Sequence, residues 1–122
     1  MPEIAIQKQP SALTDLEICE SFGEPVGQPS LQTAAGFFEG ESYKGNFYTG
    51  TWECETGVME LDLDLTEFCH LLEGRWKITS ESGVVTELHP GDSWVFPRGF
   101  KGRSEVLKRV RKVYFMMVPD EA

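Results

Sequence analysis

Hydrophobic and acidic residues alternate strictly in one segment near the middle of the chain. The alternating residues are Met59, Glu60, Leu61, Asp62, Leu63, Asp64 and Leu65. A period of two is typical of a β-strand that buries one of its faces. The segment therefore predicts a strand with its apolar side chains on one side and its carboxylates on the other.

Much of the remaining chain also predicts short strands separated by turns. Ser82-Gly83 is typical of a hairpin turn between residues 75–79 and 84–88, and Pro90-Gly91-Asp92 and Pro97-Arg98-Gly99 mark two further turns. Other strands are predicted at residues 31–38, 46–54, 93–96, 106–107 and 110–118. Short strands at this spacing are typical of an all-β sandwich or barrel.

The first part of the chain differs from the rest because it is rich in Gly, Pro, Ser, Thr and Gln. We expect residues 1–47 to form an N-terminal arm with accessory strands, residues 48–118 to form a barrel, and residues 119–122 to form a tail. Within the arm, Ser11 could cap a short helix over residues 12–20, but an extended arm fits nearly as well. Both alternatives remain open from the sequence.

Composition narrows the class of protein. With 122 residues the chain has the size of one domain, and its net charge of −9 disfavours nucleic acids and anionic membranes as partners. The longest apolar run, residues 113–118, is far too short to span a membrane, and the start does not resemble a signal peptide. Three cysteines without a CxxC pair suggest reduced thiols. We therefore expect a cytoplasmic protein.

Two segments carry an acid, glycines and a proline at a characteristic spacing. Six residues separate Glu67 from Gly74, and Gly91 is followed by five residues, Pro97, one residue and Gly99. Together the segments resemble the two motifs of the cupin family, which implies an RmlC-like jelly-roll β-barrel. Residues 48–118 are also similar to small single-domain cupins related to (S)-ureidoglycine aminohydrolase, and to ethanolamine-utilisation cupins. The resemblance does not imply the aminohydrolase reaction, since one fold hosts many chemistries.

The resemblance also implies where a metal would be held, because typical cupins bind Mn, Fe, Ni or Zn with histidines and a glutamate. Glu67 occupies the glutamate position, but Gly102 occupies the histidine position of the second motif. The histidine positions of the first motif fall on Glu60 and Asp62 or on Leu61 and Leu63, depending on the spacing. We therefore expect no bound transition metal and no other cofactor.

Two strand registers before Glu67 remain open. In an unbroken strand, the leucines and Glu67 share a face, and a carboxyl group in such apolar surroundings is a candidate general acid or base. If a bend changes the parity, Glu60, Asp62 and Glu67 all point inward, and a hard divalent cation would have to separate them. We favour the first register because leucines inside and carboxylates outside is the ordinary arrangement.

The first register gives a candidate catalytic group of Glu67 as acid or base, with Lys112 and Tyr114 as polar partners from one strand face. A purely structural ion pair of Glu67 with a lysine or arginine is the alternative. Further candidates for binding a ligand are the aromatic residues and one cysteine of the same region, although Cys69 fits a packed core residue better than a nucleophile. These candidates are Trp52, Trp94, Phe96 and Cys69.

Three functions are compatible with these residues. The first is metal-independent acid–base chemistry on a small molecule at Glu67, and the second is a module that holds a small ligand without converting it. The third, a metal-dependent aminohydrolase, is the weakest because the metal-ligand set is missing. We also expect a homodimer in which the arm contributes to the interface, because exposed sheet edges invite pairing.

Overall fold

The alternating segments of the sequence form antiparallel strands in the computed structural model, which describes residues 2–120. A short 3₁₀ helix, Pro10–Ala12, comes before the first strand. The strands are β1 (Glu17–Ile18), β2 (Glu24–Val26), β3 (Gln32–Ser42), β4 (Gly45–Cys54), β5 (Gly57–Asp62), β6 (Thr66–Ser80), β7 (Val85–Leu88), β8 (Ser93–Phe96) and β9 (Lys101–Pro119). The all-β class predicted from the sequence is confirmed.

The two longest strands, β6 and β9, pair along their length and form the centre of a curled sheet. The other edge of β9 pairs with β4 and β5, and the other edge of β6 pairs with β7 and β8. Beyond β4 lie β3 and then β1, while β2 pairs with β5. The hydrophobic core fills the concave side of this sheet, so side chains that alternate inward on β4, β6 and β9 meet there.

The register of β5 follows the hydrophobic pattern. Met59 and Leu61 are buried, whereas Glu60 and Asp62, which alternate with them, are exposed. Glu67 continues the buried face into β6, together with Cys69. The structure therefore has the first of the two registers, and the carboxylates of Glu60 and Glu67 lie on opposite faces of the sheet.

A bulge in β6 changes which residues of this strand face the core. Leu71 is buried before the bulge and Trp76 after it, so the buried positions change from odd to even numbers. Gly74 lies within the bulge at φ +100°, and a Cβ atom there would overlap the carbonyl oxygen of Arg109. Glycine is required for both reasons. One strand can therefore supply Glu67 at one end of the core and Trp76 at the other.

The N-terminal arm is extended and lies against its own sheet, so the helix considered for residues 12–20 is wrong. The Gln7 amide donates to the Ala35 carbonyl oxygen at 3.0 Å and accepts from the Thr51 hydroxyl at 2.6 Å. The Arg111 guanidinium donates to the carbonyl oxygen of Pro10 at 2.9 Å. These contacts satisfy polar groups of the arm without a helix. The strand β4 runs across residues 47 and 48, where the arm was expected to end.

The convex side of the sheet carries exposed aromatic residues. The rings of Phe47 and Phe115 stack at 5.4 Å between centroids, with Phe38 against Phe47 at 5.6 Å. Phe68 lies opposite Phe115 in the β6–β9 pairing, and both are substantially exposed. We refer to the exposed residues Phe38, Phe68, Val95, Phe115 and Met117 as the convex apolar face.

No helix of residues 2–120 is long and apolar enough to cross a membrane.

The homodimer stays a prediction. We expect the convex apolar face to form its interface, because burying exposed apolar side chains favours association. Light scattering at micromolar concentration should give twice the 13.7 kDa of one chain. Phe68→Lys should shift the mass to that of a monomer, whereas Val84→Lys, at an exposed position outside this face, should leave it unchanged. A monomeric wild-type protein would contradict the dimer, and a dimer that survives deletion of residues 2–13 would contradict the role of the arm.

Candidate functional site

Strand register brings four candidate residues to one part of the concave face. Lys112 and Tyr114 are two positions apart on β9, as Glu67 and Cys69 are on β6, and Cys69 lies opposite Tyr114. Since side chains two positions apart share a face, all four can meet on the concave side. Trp52 lies opposite Lys112 in the β4–β9 pairing and joins them there.

Glu67 and Lys112 form a buried ion pair. The Lys112 Nζ donates to Glu67 Oε2 at 2.6 Å, and the side chains of Lys112 and Glu67 are 2% and 3% exposed respectively. The Cys69 thiol lies 3.4 Å from the same carboxylate oxygen, and Lys112 Nζ is 3.5 Å from the Cys69 sulfur. Two charges removed from water need this kind of pairing, because either one alone would be strongly disfavoured.

Aromatic rings surround the ammonium group of Lys112. Its Nζ lies 4.6 Å from the ring centroid of Phe22 and 4.7 Å from that of Trp52. Trp76 and Phe96 complete the enclosure at 5.4 and 5.7 Å. The negative faces of aromatic rings attract cations, and this attraction is larger where water is excluded. The rings and the carboxylate together hold the lysine as an ammonium ion in the core.

The surroundings shift the pKa values of three groups. Burial by itself would lower the pKa of Lys112, but the attraction of Glu67, with smaller effects from Cys69, raises it overall. Burial raises the pKa of the Cys69 thiol from 9.0 to about 12, although Lys112 opposes the shift. Burial, and then the charge of Glu67, also raise the pKa of Tyr114. Near neutral pH, Lys112 is therefore charged, Cys69 is a thiol rather than a nucleophilic thiolate, and Tyr114 is a hydrogen-bond donor.

A cavity of about 390 Å³ opens beside the ion pair. Glu67 forms part of its wall, and its Oε1 atom is shielded from solvent with no hydrogen-bond partner among residues 2–120. A buried carboxylate oxygen without a donor is unusual in a native protein. The lining residues come from the arm, from β3, β4, β5, β6 and β9, and from the β5–β6 connection: Cys19, Glu20, Ser21, Phe22, Ala34, Trp52, Asp62, Leu63, Asp64, Leu65, Glu67, Lys112, Tyr114 and Met116.

The remaining candidate residues differ in whether they line this cavity. Phe96 is buried behind it and contacts Lys112, while Trp94 packs edge-on against Trp76 at 5.6 Å and does not line it. Cys69 lies in the ion-pair cluster but not in the cavity wall. Asp62 reaches the rim, whereas Glu60 forms an ion pair with Arg103 at 2.8 Å on the outer side. Their functional roles stay predictions.

Sequence reasoning missed the contribution of the arm. Phe22 closes the aromatic enclosure of Lys112, and its backbone N–H donates to the Gln32 side chain at 2.8 Å. The Gln32 amide also donates to the Ser21 hydroxyl at 2.9 Å, so one buried glutamine fixes this part of the wall. In the sequence, the one indication of this role was that Phe22 is a single aromatic residue before Gly23. No periodic pattern supports it, because the surrounding segment is irregular.

The side chains at the expected metal positions do not fit a transition metal. Lys112 already occupies Glu67 Oε2 with a fixed positive charge. At Gly102 a Cβ atom would overlap the carbonyl oxygen of Thr79, so this position has neither a ligand nor space for one. His70 bonds to the Ser93 hydroxyl, and residues 2–120 contain no group of three His, Cys, Asp or Glu side chains placed to hold a metal ion. The side chains at the motif positions therefore offer no route to metal-assisted chemistry.

The raised pKa of Cys69 predicts a loss of stability at alkaline pH. The unfolded thiol loses its proton around pH 9, but the folded thiol keeps it until about pH 12. The unfolded state then binds fewer protons, so between pH 9 and 10 this thiol lowers the free energy of unfolding by about 1 kcal/mol. Cys69→Ala adds a packing loss that is independent of pH. We expect the urea-unfolding free energies of wild type and variant to converge by that amount over this interval, and parallel curves would contradict the assignment.

Comparison with known proteins agrees with this architecture. Residues 41–114 match the family model of the EutQ-like cupin domain. No curated protein matches the chain. A DUF861 family protein from Thermotoga maritima is 38% identical, with a TM-score of 0.51, over 52% of this chain and 73% of that one.

Two further solved structures share the fold at lower identity. Ethanolamine utilization protein Q from Salmonella typhimurium is 19% identical, with a TM-score of 0.60, over 75% of this chain and 72% of that one. A DUF861 family protein from Pseudomonas syringae is 20% identical, with a TM-score of 0.74, over 85% of this chain and 45% of that one. These likenesses confirm the cupin fold expected from the two motifs, and they do not assign a reaction.

Proposed function

The chain belongs to the EutQ-like cupin domain family, and from this premise we propose that it binds a small organic molecule in the cavity beside Glu67, without a resident transition metal. The observation that carries the proposal is that Glu67 lines the cavity while its buried Oε1 atom has no hydrogen-bond partner among residues 2–120. Its energetic need for a donor would be met by a ligand that enters the cavity. Aromatic walls with few convergent polar groups are typical of small-ligand sites.

The cost of the ion pair supports a role beyond folding. A buried pair of charges commonly contributes less stability than hydrophobic residues of the same volume. Here Lys112 binds one carboxylate oxygen of Glu67, and the other has no donor among residues 2–120 although the residue lines a cavity. An oxygen shielded from water in this way has no water molecule to lose when it accepts a hydrogen bond from a ligand.

Acid–base chemistry at Glu67 is a second candidate. Glu67 lines the cavity, as a general base must, and Tyr114 supplies a protonated hydroxyl from the same wall. Metal-dependent chemistry of the ureidoglycine aminohydrolase type has no support from the side chains at the motif positions.

Binding can be tested with a fragment set containing cationic, neutral and anionic small molecules, added to isotope-labelled protein purified without chelator. We expect at least one compound to shift the NMR signals of cavity residues such as Trp52 and Tyr114, while elemental analysis finds well below one equivalent of Mn, Fe, Ni or Zn. The absence of any cavity binder would overturn the proposal, as would one equivalent of metal at Glu67.

The catalytic candidate needs a different readout. For any compound that the protein converts, the rate should vanish in Glu67→Gln, while Glu87→Gln, an exposed carboxylate outside the cavity, should keep it. A bound compound that is not converted at any pH between about 5 and 9, the range over which acid–base side chains titrate, would leave the protein as a binding module.

A further inference from the structure

The cavity wall is strongly biased in charge. Four of its residues are acidic, namely Glu20, Asp62, Asp64 and Glu67, against the single cation Lys112. Arg98 neutralises Asp64 from the outer side at 2.7 Å. Within residues 2–120, neither Glu20 nor Asp62 takes part in an ion pair. Charges on a cavity wall attract a ligand of opposite charge and repel a ligand of the same charge.

Lys112 does not counter this bias for a ligand in the cavity. Its ammonium group already donates to Glu67 Oε2 and to the Cys69 sulfur, and aromatic rings cover its remaining surface. The residue is 1% exposed. An anionic ligand would therefore meet the free oxygen of Glu67 and the carboxylates of the rim before it could approach the buried cation.

We infer that the ligand of this cavity is a small organic cation with an N–H donor, such as a primary ammonium group. The inference rests on the proposed function and specifies its ligand class. The N–H would donate to Glu67 Oε1, because an ionised carboxylate accepts hydrogen bonds and has no proton to donate. The charge would be attracted by Asp62 and Glu20 at the rim.

Four probes of similar size separate charge from hydrogen bonding. NMR titration with n-butylammonium, n-butanol, butyrate and tetramethylammonium measures affinity and identifies the residues contacted. We expect n-butylammonium to bind at least about tenfold more tightly than n-butanol, because charge-assisted hydrogen bonds are the stronger kind. Tetramethylammonium, which has the charge but no N–H, should bind less tightly than n-butylammonium, and butyrate should not bind in the cavity.

Variants locate the binding. Asp62→Asn removes an exposed rim charge and should weaken n-butylammonium binding several-fold, whereas the matched control Glu87→Gln should not change it. Because Glu67→Gln alone leaves Lys112 without its partner, the double variant Glu67→Gln/Lys112→Met serves as the folded control that lacks both charges. It should lose at least about tenfold in affinity for n-butylammonium and little for n-butanol.

The outcomes distinguish this inference from the function on which it rests. If n-butanol or butyrate binds in the cavity as tightly as n-butylammonium, the ligand is not a cation and the inference fails, but the binding function stands. The same conclusion holds if other fragments bind in the cavity and none of the four probes does. If neither probes nor fragments bind there, both proposals fail.

Discussion

Lys112→Met should lower the free energy of unfolding by about 3–5 kcal/mol, the usual cost of removing one partner from a buried ion pair. Methionine has similar length and fits among the aromatic rings, so the loss comes from the Glu67 carboxylate, which keeps its burial but loses its donor. Urea unfolding at neutral pH, followed by tryptophan fluorescence, measures the change. Trp52 and Trp76, next to the substituted side chain, report on this part of the core.

The double variant Glu67→Gln/Lys112→Met tests the cause of that loss. It removes both charges while keeping the volumes of the side chains, and we expect it to recover most of the stability. The coupling between the two sites then follows from the double-mutant cycle. A single Lys112→Met variant as stable as wild type, or a double variant no better than the single, would show that charge pairing does not hold this part of the core.

Gly74→Ala should destabilise the protein by at least about 3 kcal/mol, as measured by the same unfolding experiment. A left-handed backbone costs a non-glycine residue about 1–2 kcal/mol. The alanine Cβ would in addition overlap the carbonyl oxygen of Arg109, so β6 and β9 would have to move apart at the bulge.

Gly83→Ala is the matched control for this substitution. Gly83 has nearly the same φ, +94°, but a Cβ atom there has no atom within 4 Å. It should therefore lose only the backbone contribution of about 1–2 kcal/mol. Equal losses in the free energy of unfolding at the two positions would mean that the close approach of Arg109 at the bulge does not affect stability.

The parts of this fold that follow from local pattern could be predicted. The alternation before Leu65 indicated the correct face of β5, since one buried face selects one register. The hairpin around Ser82-Gly83 also forms between β6 and β7, where Thr79 lies opposite Val85. Two short motifs around Glu67 and Pro97 were sufficient to indicate the cupin fold.

What could not be predicted depends on contacts between distant segments. The sequence pattern predicted a strand over residues 75–79, but β6 extends from Thr66 to Ser80 through a bulge, because β9 pairs with it before and after the bulge. Phe22 reaches Lys112 from 90 positions away in the sequence, and no periodic pattern connects the two. The partnership of Glu67 and Lys112 was expected from strand parity together with the motif position of Glu67, whereas the aromatic enclosure depends on how the arm folds over the sheet.

Gly102 sets a limit on how this protein can evolve. The close approach of the Thr79 carbonyl oxygen means that no side chain fits at this position unless β6 and β9 separate, and these strands pair directly beside it, at Ser80. A mutation to histidine would therefore disrupt the central strand pair before it could offer a ligand. Variants of this chain can differ in the cavity wall around Glu67, but a single substitution at Gly102 cannot supply a metal ligand there without separating the two strands.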